Sequence, residues 1–407
     1  MSGDSEQPSS PRPQEERLRE ELERLDPTLR RVSQELFEHP ELSGVERRAC
    51  ALLAELLSQD GFDVDTGIAD LPTAFVAKHS LKRGGSPRIG FFCEYDALPG
   101  LGHACGHNLI ASASLAAGLA LAKGLDAEQG EVWVIGSPAE ETFGGKVALE
   151  SKGRLKGLDA AMMFHPGPET RVRSVLSVAT EPTEIVFYSE HLKGFTNGLP
   201  SNPVLAVASL FHSIATAASR FAGSVSFPGV IIQGGERPNV VPVRTVARFS
   251  FRARSRVLLR RFMSEVVGCV RGAARTSGCS FSMRRYEAGY EPILVNDTMG
   301  RICEEYLRGE GLVPLANPPE APGAYDIGNV SRRFPVIHAM ISKGFEGIST
   351  HTDEFRARAG SEEGIECAMV AAKVLALTGM RLLTSPDLLA VCRQELGKKT
   401  REVSDVT

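Results

Sequence analysis

The chain has 407 residues, a formal net charge of −4 and a pI near 6.2, with 42% hydrophobic and 24% charged residues. Such a chain is globular and too long for one core, so two domains are expected, and nothing in its charge suggests a nucleic-acid-binding surface. No apolar run reads as long enough to cross a bilayer, the first residues carry no apolar signal-like core, and the eight scattered cysteines form no C-x-x-C pair; together these read as a cytoplasmic protein without membrane or nucleic-acid partners.

Residues 1–14, rich in Pro, Ser, Gln and Glu, read as disordered. Leu18, Leu22, Leu25, Leu29 and Leu36 predict a helix over 15–39, with an interruption at Pro27. A second helix is expected over 46–61, then strands at Phe62–Val64, Thr73–Lys78 and up to Phe92. An Ala/Leu-rich helix follows over 109–123, and buried strands at Val132–Gly136 and Ala160–Phe164. Helix alternating with strand predicts an α/β domain, its mixed sheet flanked by helices. Near Pro182 the texture changes to strand, helix, strand, strand, helix, strand through Arg285. That order predicts an inserted ferredoxin-like α+β module. The expected boundaries are 15–181 for the first part of the larger domain, 182–290 for the module, 291–395 for the remainder and 396–407 for a tail.

Three segments carry chemistry. His103-Ala104-Cys105-Gly106-His107 opens the Ala/Leu helix. Pro138-Ala139-Glu140-Glu141 follows one buried strand, and His165-Pro166 follows another. In an open α/β sheet, strand ends of this kind converge on one rim. Taken singly, a buried Cys is usually structural, a His-Pro usually a turn and a Glu-Glu usually solvated. Together they offer thiolate, imidazole and carboxylate, the usual zinc ligand set. Of two adjacent glutamates, one can bind metal while the other takes a proton from the attacking water, whose pKa a metal lowers from about 15.7 towards about 7.

These motifs resemble the metallopeptidases of the aminoacylase, carnosine-dipeptidase and glutamate-carboxypeptidase group, in the branch containing the hippurate and auxin-conjugate amidohydrolases. The likeness rests on D-A-L-P (96–99) followed by A-C-G-H (104–107), and on P-A-E-E with G-G-K (138–146). L-P-T-A-F (71–75), G-G-x-x-P-N-V-V-P (234–242), D-I-G-N-V-S (326–331) and H-T-D-E-F (351–355) extend it from about residue 37 to about 380. The resemblance implies two divalent ions, zinc or manganese. Cys105 would bridge them, with His107 and His165 on one and Glu141 and His351 on the other. It makes Glu140 the general base and Asp96 the carboxylate that orients a ligand. It makes the inserted module a lid and homodimerisation domain, in which Asn239 contacts the substrate and Arg252 or Arg254 binds a carboxylate.

The lid departs from the pattern at the histidine that should reach the oxyanion. His191 is the nearest match, with Lys193 as a stand-in. The activity implied is hydrolysis of small dipeptides with a basic C-terminal residue, such as β-alanyl-lysine, β-alanyl-ornithine or Xaa-Arg. Asp326 is a possible contact for that basic side chain. Two alternatives stay open: an N-acyl-amino-acid amidohydrolase, and a metal-binding relative of low or no activity because of the altered lid.

Overall fold

The computed structural model describes residues 13–189, 201–317 and 322–405. His191, Lys193 and residues 1–12 therefore lie outside the described residues. Helix α1 (Pro13–Glu38) starts within the stretch expected to be disordered and is continuous through Pro27. An interior proline costs about 3 kcal/mol. Leu18, Leu22, Leu25, Leu29, Val32 and Leu36 are all buried along one stripe of the helix, each contributing about 1.5–3 kcal/mol. Packing outweighs the local penalty.

There follow α2 (Arg47–Gln59), β1 (Asp63–Thr66), β2 (Phe75–Ser80), β3 (Arg88–Cys93), α3 (His107–Gly124), β4 (Glu131–Gly136), α4 (Gly145–Ser151) and β5 (Ala160–Pro166). After the inserted module come α7 (Asp297–Gly309), α8 (Ile327–Val330), β11 (Val336–Ile341), α9 (Asp353–Ala359), α10 (Glu362–Thr384) and α11 (Pro386–Asp405). The sheet order is β1-β2-β4-β3-β5-β11. Strands β4, β3, β5 and β11 run parallel, whereas β1 and β2 are antiparallel additions at one edge. Every residue of β5 is buried, as expected of a parallel strand covered on both faces.

Helix α3 is buried from His107 to Leu121, so it is apolar all round rather than amphipathic. Contrary to the sequence expectation, α10 is long and apolar enough to span a bilayer, but 78% of its apolar window is packed inside the fold. It is a core helix. Helix α11 continues to Asp405, through the stretch expected to be a tail.

The inserted module comprises β6 (Ala179–Ser189), α5 (Pro203–Ser219), β7 (Val225–Ser226), β8 (Gly229–Gln233), β9 (Arg244–Ala253), α6 (Arg256–Thr276) and β10 (Cys279–Arg285). Its strands are ordered β10-β6-β9, with β7 and β8 both on the far side of β9, and all pair antiparallel. This is the ferredoxin-like arrangement. The run from Val225 to Gln233 is split into β7 and β8 at Phe227–Pro228, because Pro228 has no N–H to give the ladder. Ile185, Phe187, Leu210, Phe249 and Phe262 belong to a core separate from that of the larger domain.

Candidate active site

The site lies beyond the carboxyl ends of β3, β4, β5 and β11. Glu94 and Asp96 follow β3, Glu140 and Glu141 follow β4, His165 closes β5, and His351 lies between β11 and α9. Gly106, at φ +80°, delivers Cys105 and His107 where α3 begins. A Cβ there would sit 2.4 Å from Pro166 Cγ, so both the backbone conformation and the close approach to the β5 end require glycine.

Cys105, His107 and His165 present donor atoms all within 4.8 Å of one another, and so do Cys105, Glu141 and His351. Cys105 is common to both sets. Its Sγ is 3.5 Å from His165 Nε2, Glu141 Oε1 is 3.5 Å from His351 Nε2, and it is 4.0 Å from His107 Nε2. Ligands about 2.0–2.3 Å from a shared tetrahedral ion stand about 3.3–3.8 Å apart, so these spacings suit cations.

The donors also carry the mark of an incomplete set. His107 Nε2 and Glu141 Oε1 are buried and have no hydrogen-bond partner among the described residues, a costly state that a cation relieves. The other ring nitrogen of His107 is taken: Nδ1 lies 2.8 Å from the Asp96 carbonyl oxygen and 3.0 Å from Asp96 Oδ1. A carboxylate on the far nitrogen fixes the ring and makes Nε2 the ligating atom. Burial would raise Asp96, but the facing His107 overcomes it and holds the carboxyl down at about 2. Ser43 Oγ and the Glu141 amide both donate to Asp96 Oδ2, at 2.7 and 3.0 Å. One carboxylate thus ties two of the donor segments together. Burial, with Glu141 beside it, pushes the Cys105 thiol well up; a bound cation would reverse that and ionise it.

Glu140 is buried under like charge. Burial first, then Glu94, Glu141 and Asp326, raise its carboxyl well above the usual range. Its position depends on a strained turn, since Ala139 has φ +59°. The buried Glu46 carboxylate holds that turn, accepting the Ala139 N–H at 2.9 Å and the Thr73 hydroxyl at 2.7 Å. Tyr290 Oη donates to the Glu140 carbonyl oxygen at 2.7 Å. His351 is a second left-handed residue, φ +62°, and its N–H donates to the Ala104 carbonyl at 2.9 Å. Strain of about 1–3 kcal/mol at each such residue persists only where the surroundings over-determine it, and it clusters at functional sites.

A cavity of about 330 Å³ opens over these groups, roofed by the inserted module. Small-molecule sites start at about 300 Å³, so it has room for a dipeptide-sized ligand. Cys105, Glu140, Glu141, His165 and His351 line one side, and Thr180, Ser250, Arg252, Glu287 and Tyr290 the other.

Of the substrate-contact residues expected from sequence, Arg252 lines this cavity, and two others do not. Arg254 lies one residue past the end of β9, where the chain turns into α6, and is exposed. Asn239 sits in the exposed connection between β8 and β9, at the outer edge of the module's sheet, away from the cavity of its own chain. Asp326 is unavailable to any substrate. It is fully buried, accepts from Lys146 Nζ at 2.7 Å and from the Lys146 backbone N–H at 2.9 Å. The same ammonium is hydrogen-bonded to Glu94. Burial would lower Lys146, yet Asp326 and Glu94 raise it.

Sequence reasoning assigned no role to Glu46, Lys146, Glu287 or Tyr290. Lys146 left one trace, a lone lysine straight after Gly144-Gly145 in a segment that otherwise reads as apolar. His338, 3.0 Å from His165 Nδ1, left another, as a histidine within an apolar strand.

A thiol shared between a pair of imidazoles and an imidazole–carboxylate pair, at the rim of a parallel sheet and beneath a lid, defines the site of a metallopeptidase-type hydrolase. A model of Peptidase family M20/M25/M40 matches residues 92–376, and the chain belongs to that family. It is 30% identical over 394 residues to the Xaa-Arg dipeptidase of Homo sapiens, covering 91% of this chain and 89% of that one. It is likewise 30% identical over 406 residues to the Xaa-Arg dipeptidase of Mus musculus, covering 95% and 92%. Among solved structures, the fold is similar to a Bacillus subtilis dinuclear metal-binding peptidase of the M20 family, with a TM-score of 0.68, 19% identity and coverage of 89% and 99%.

Proposed function

We propose that the protein is a metal-dependent dipeptidase acting on small dipeptides with a basic C-terminal residue. The observation that carries this is the meeting of Cys105 with His107 and His165 on one side and with Glu141 and His351 on the other. The 30% identity to a Xaa-Arg dipeptidase along 91% of the chain supports the substrate class. His107 and His165 would hold one divalent ion and Glu141 and His351 the other, with Cys105 between them; zinc suits every member of this donor set, and manganese its carboxylate. When bound, such a pair polarises the scissile carbonyl and acidifies the attacking water.

The chain's own groups do the rest. Glu140 takes the water's proton and returns it to the departing amine nitrogen. Asp96 keeps the His107 ring in place. Arg252 faces the substrate carboxylate from the lid, and the lid donor to the oxyanion is His191, outside the described residues. Removing such a donor typically costs about 3–4 kcal/mol of barrier. The scattered cysteines accord with a cytoplasmic setting.

The lid also supports a homodimer. Val230, Ile231, Ile232, Val240, Val241 and Val243 are each 45–56% exposed on β8 and the connection after it, an apolar patch on a free sheet edge. Sedimentation velocity is expected to give twice the 43.8 kDa chain mass, and Ile231→Asp to shift it towards monomer. A monomeric wild-type protein would remove the dimer from the proposal.

The activity is tested with purified protein and β-alanyl-lysine, before and after chelation. Turnover is expected to vanish with metal removal and to return with zinc or manganese. Acetyl-amino acids in parallel distinguish an amidohydrolase from a dipeptidase. Bound metal with no hydrolysis of any dipeptide would overturn the proposal in favour of a non-catalytic relative.

A further inference from the structure

Arg252 and Glu287 both line the lid side of the cavity. They carry opposite charges, yet they are not paired with each other. Among the described residues Arg252 has no carboxylate partner and Glu287 makes no hydrogen bond or ion pair. The neighbouring lid carboxylates are all engaged: Glu181 with Arg256 and Arg285, Glu184 with Arg248 and Arg284, and Glu291 with Arg256. Glu287 is half-buried, and burial raises its carboxyl, with Arg248 offsetting part of that. A half-buried carboxylate with no direct ion-pair partner among the described residues is poorly compensated, and here it faces a space that a ligand enters.

We infer that Glu287 is the residue that selects a basic C-terminal side chain, reading the substrate's ammonium or guanidinium while Arg252 reads its α-carboxylate. This rests on the dipeptidase proposal and adds to it the origin of specificity. The register supports the assignment. Arg252 lies opposite Thr180 on β6, and Tyr286 donates its N–H to Pro182 of the same strand from the other side. Glu287 follows Tyr286 just past the end of β10, so Arg252 and Glu287 reach the same cavity from the two strands on either side of β6. The α-carboxylate and the tip of a lysine or arginine side chain branch from one Cα and can diverge to meet both. The amino end of the dipeptide lies beyond the scissile carbonyl, past the Cys105 cluster, and does not share this wall. Tyr290 and Tyr325 supply apolar surface for the methylene stem, and Gly323 and Ala324 leave room beside them.

The test compares wild type with Glu287→Gln on β-alanyl-lysine, β-alanyl-norleucine and acetyl-norleucine. Losing one charged hydrogen bond should lower the lysine-to-norleucine ratio of kcat/KM by roughly 10–100-fold, carried mainly by KM. Glu287→Lys should raise the ratio of β-alanyl-glutamate to β-alanyl-lysine by a similar factor. An unchanged lysine-to-norleucine ratio in Glu287→Gln would overturn the assignment. So would a selective loss on β-alanyl-norleucine relative to acetyl-norleucine, since Glu287 would then read the amino end. Calorimetric binding of free lysine and free norleucine to the metal-loaded Glu140→Gln protein, with and without Glu287→Gln, decides the matter independently of turnover. Lysine preference that is present and then lost supports Glu287 even if no dipeptide is cleaved, whereas absence of hydrolysis alone refutes only the dipeptidase proposal. No preference for lysine in either protein would overturn the assignment.

Discussion

Glu140→Gln is expected to retain the metal content of the wild-type protein and to lose about 10²–10⁴-fold in kcat, the usual contribution of a positioned acid–base group. The amide keeps the shape of the side chain and cannot accept the water's proton. The fold around it should be undisturbed, because its restraints are on the backbone. The Ala139 N–H binds Glu46, and the Glu140 carbonyl accepts from Tyr290. KM should change little, since no substrate contact is removed. Metal analysis and steady-state kinetics on the same preparation check both halves. A variant as fast as wild type would remove Glu140 as the proton carrier, and one that loses its metal would mean that Glu140 is a ligand instead.

Lys146→Met should cost about 3–5 kcal/mol of folding stability, the penalty for stranding a buried charge. The Lys146 ammonium is fully buried, pairs with Asp326 and is hydrogen-bonded to Glu94. Methionine fills much the same volume, so packing alone predicts a small effect, and the charge decides the outcome. Domains are stable by only about 5–15 kcal/mol, so the variant should unfold at markedly lower urea concentration. The comparison belongs at fixed metal concentration, because bound metal adds to apparent stability. The ammonium has a second consequence. Glu94 Oε2 lies 3.5 Å from His107 Nε2 and 3.8 Å from His165 Nδ1. Without Lys146 an uncompensated negative charge would stand beside the ligating nitrogen of His107 and behind the ring of His165. A stability loss below about 1 kcal/mol would show that the two carboxylates tolerate the core without it.

The donor segments were legible in the sequence because each is short and follows an apolar strand. A parallel strand buried on both faces is a continuous apolar run, so Val132–Gly136 and Ala160–Phe164 announce themselves, and the residues after them fall on the rim. The strand–helix order over 183–285 pointed to the ferredoxin-like module for a similar reason, since its connections are local. Pro27 misled because propensity is a local quantity, while the buried stripe of α1 is a tertiary one. Arg254 and Asn239 do not line the cavity of their own chain, because a motif gives position along the chain and not direction. One residue past the end of β9, and a hairpin at a sheet edge, put those side chains outside the cavity.

The sequence by itself offered thiol, imidazole and carboxylate groups at strand ends as candidate ligands, and its resemblance to a family implied which glutamate would move a proton. Only the tertiary structure decided how those groups are held and what the substrate meets. Lys146 is separated by 52 residues from Glu94 and by 180 from Asp326, and Glu46 acts on Ala139 across 93. No periodicity links such distances. The physical reason is that burial sets the worth of a charge, and burial is a property of the folded chain: the same carboxylate is a structural counter-ion at Asp326 and an unpaired group facing the cavity at Glu287.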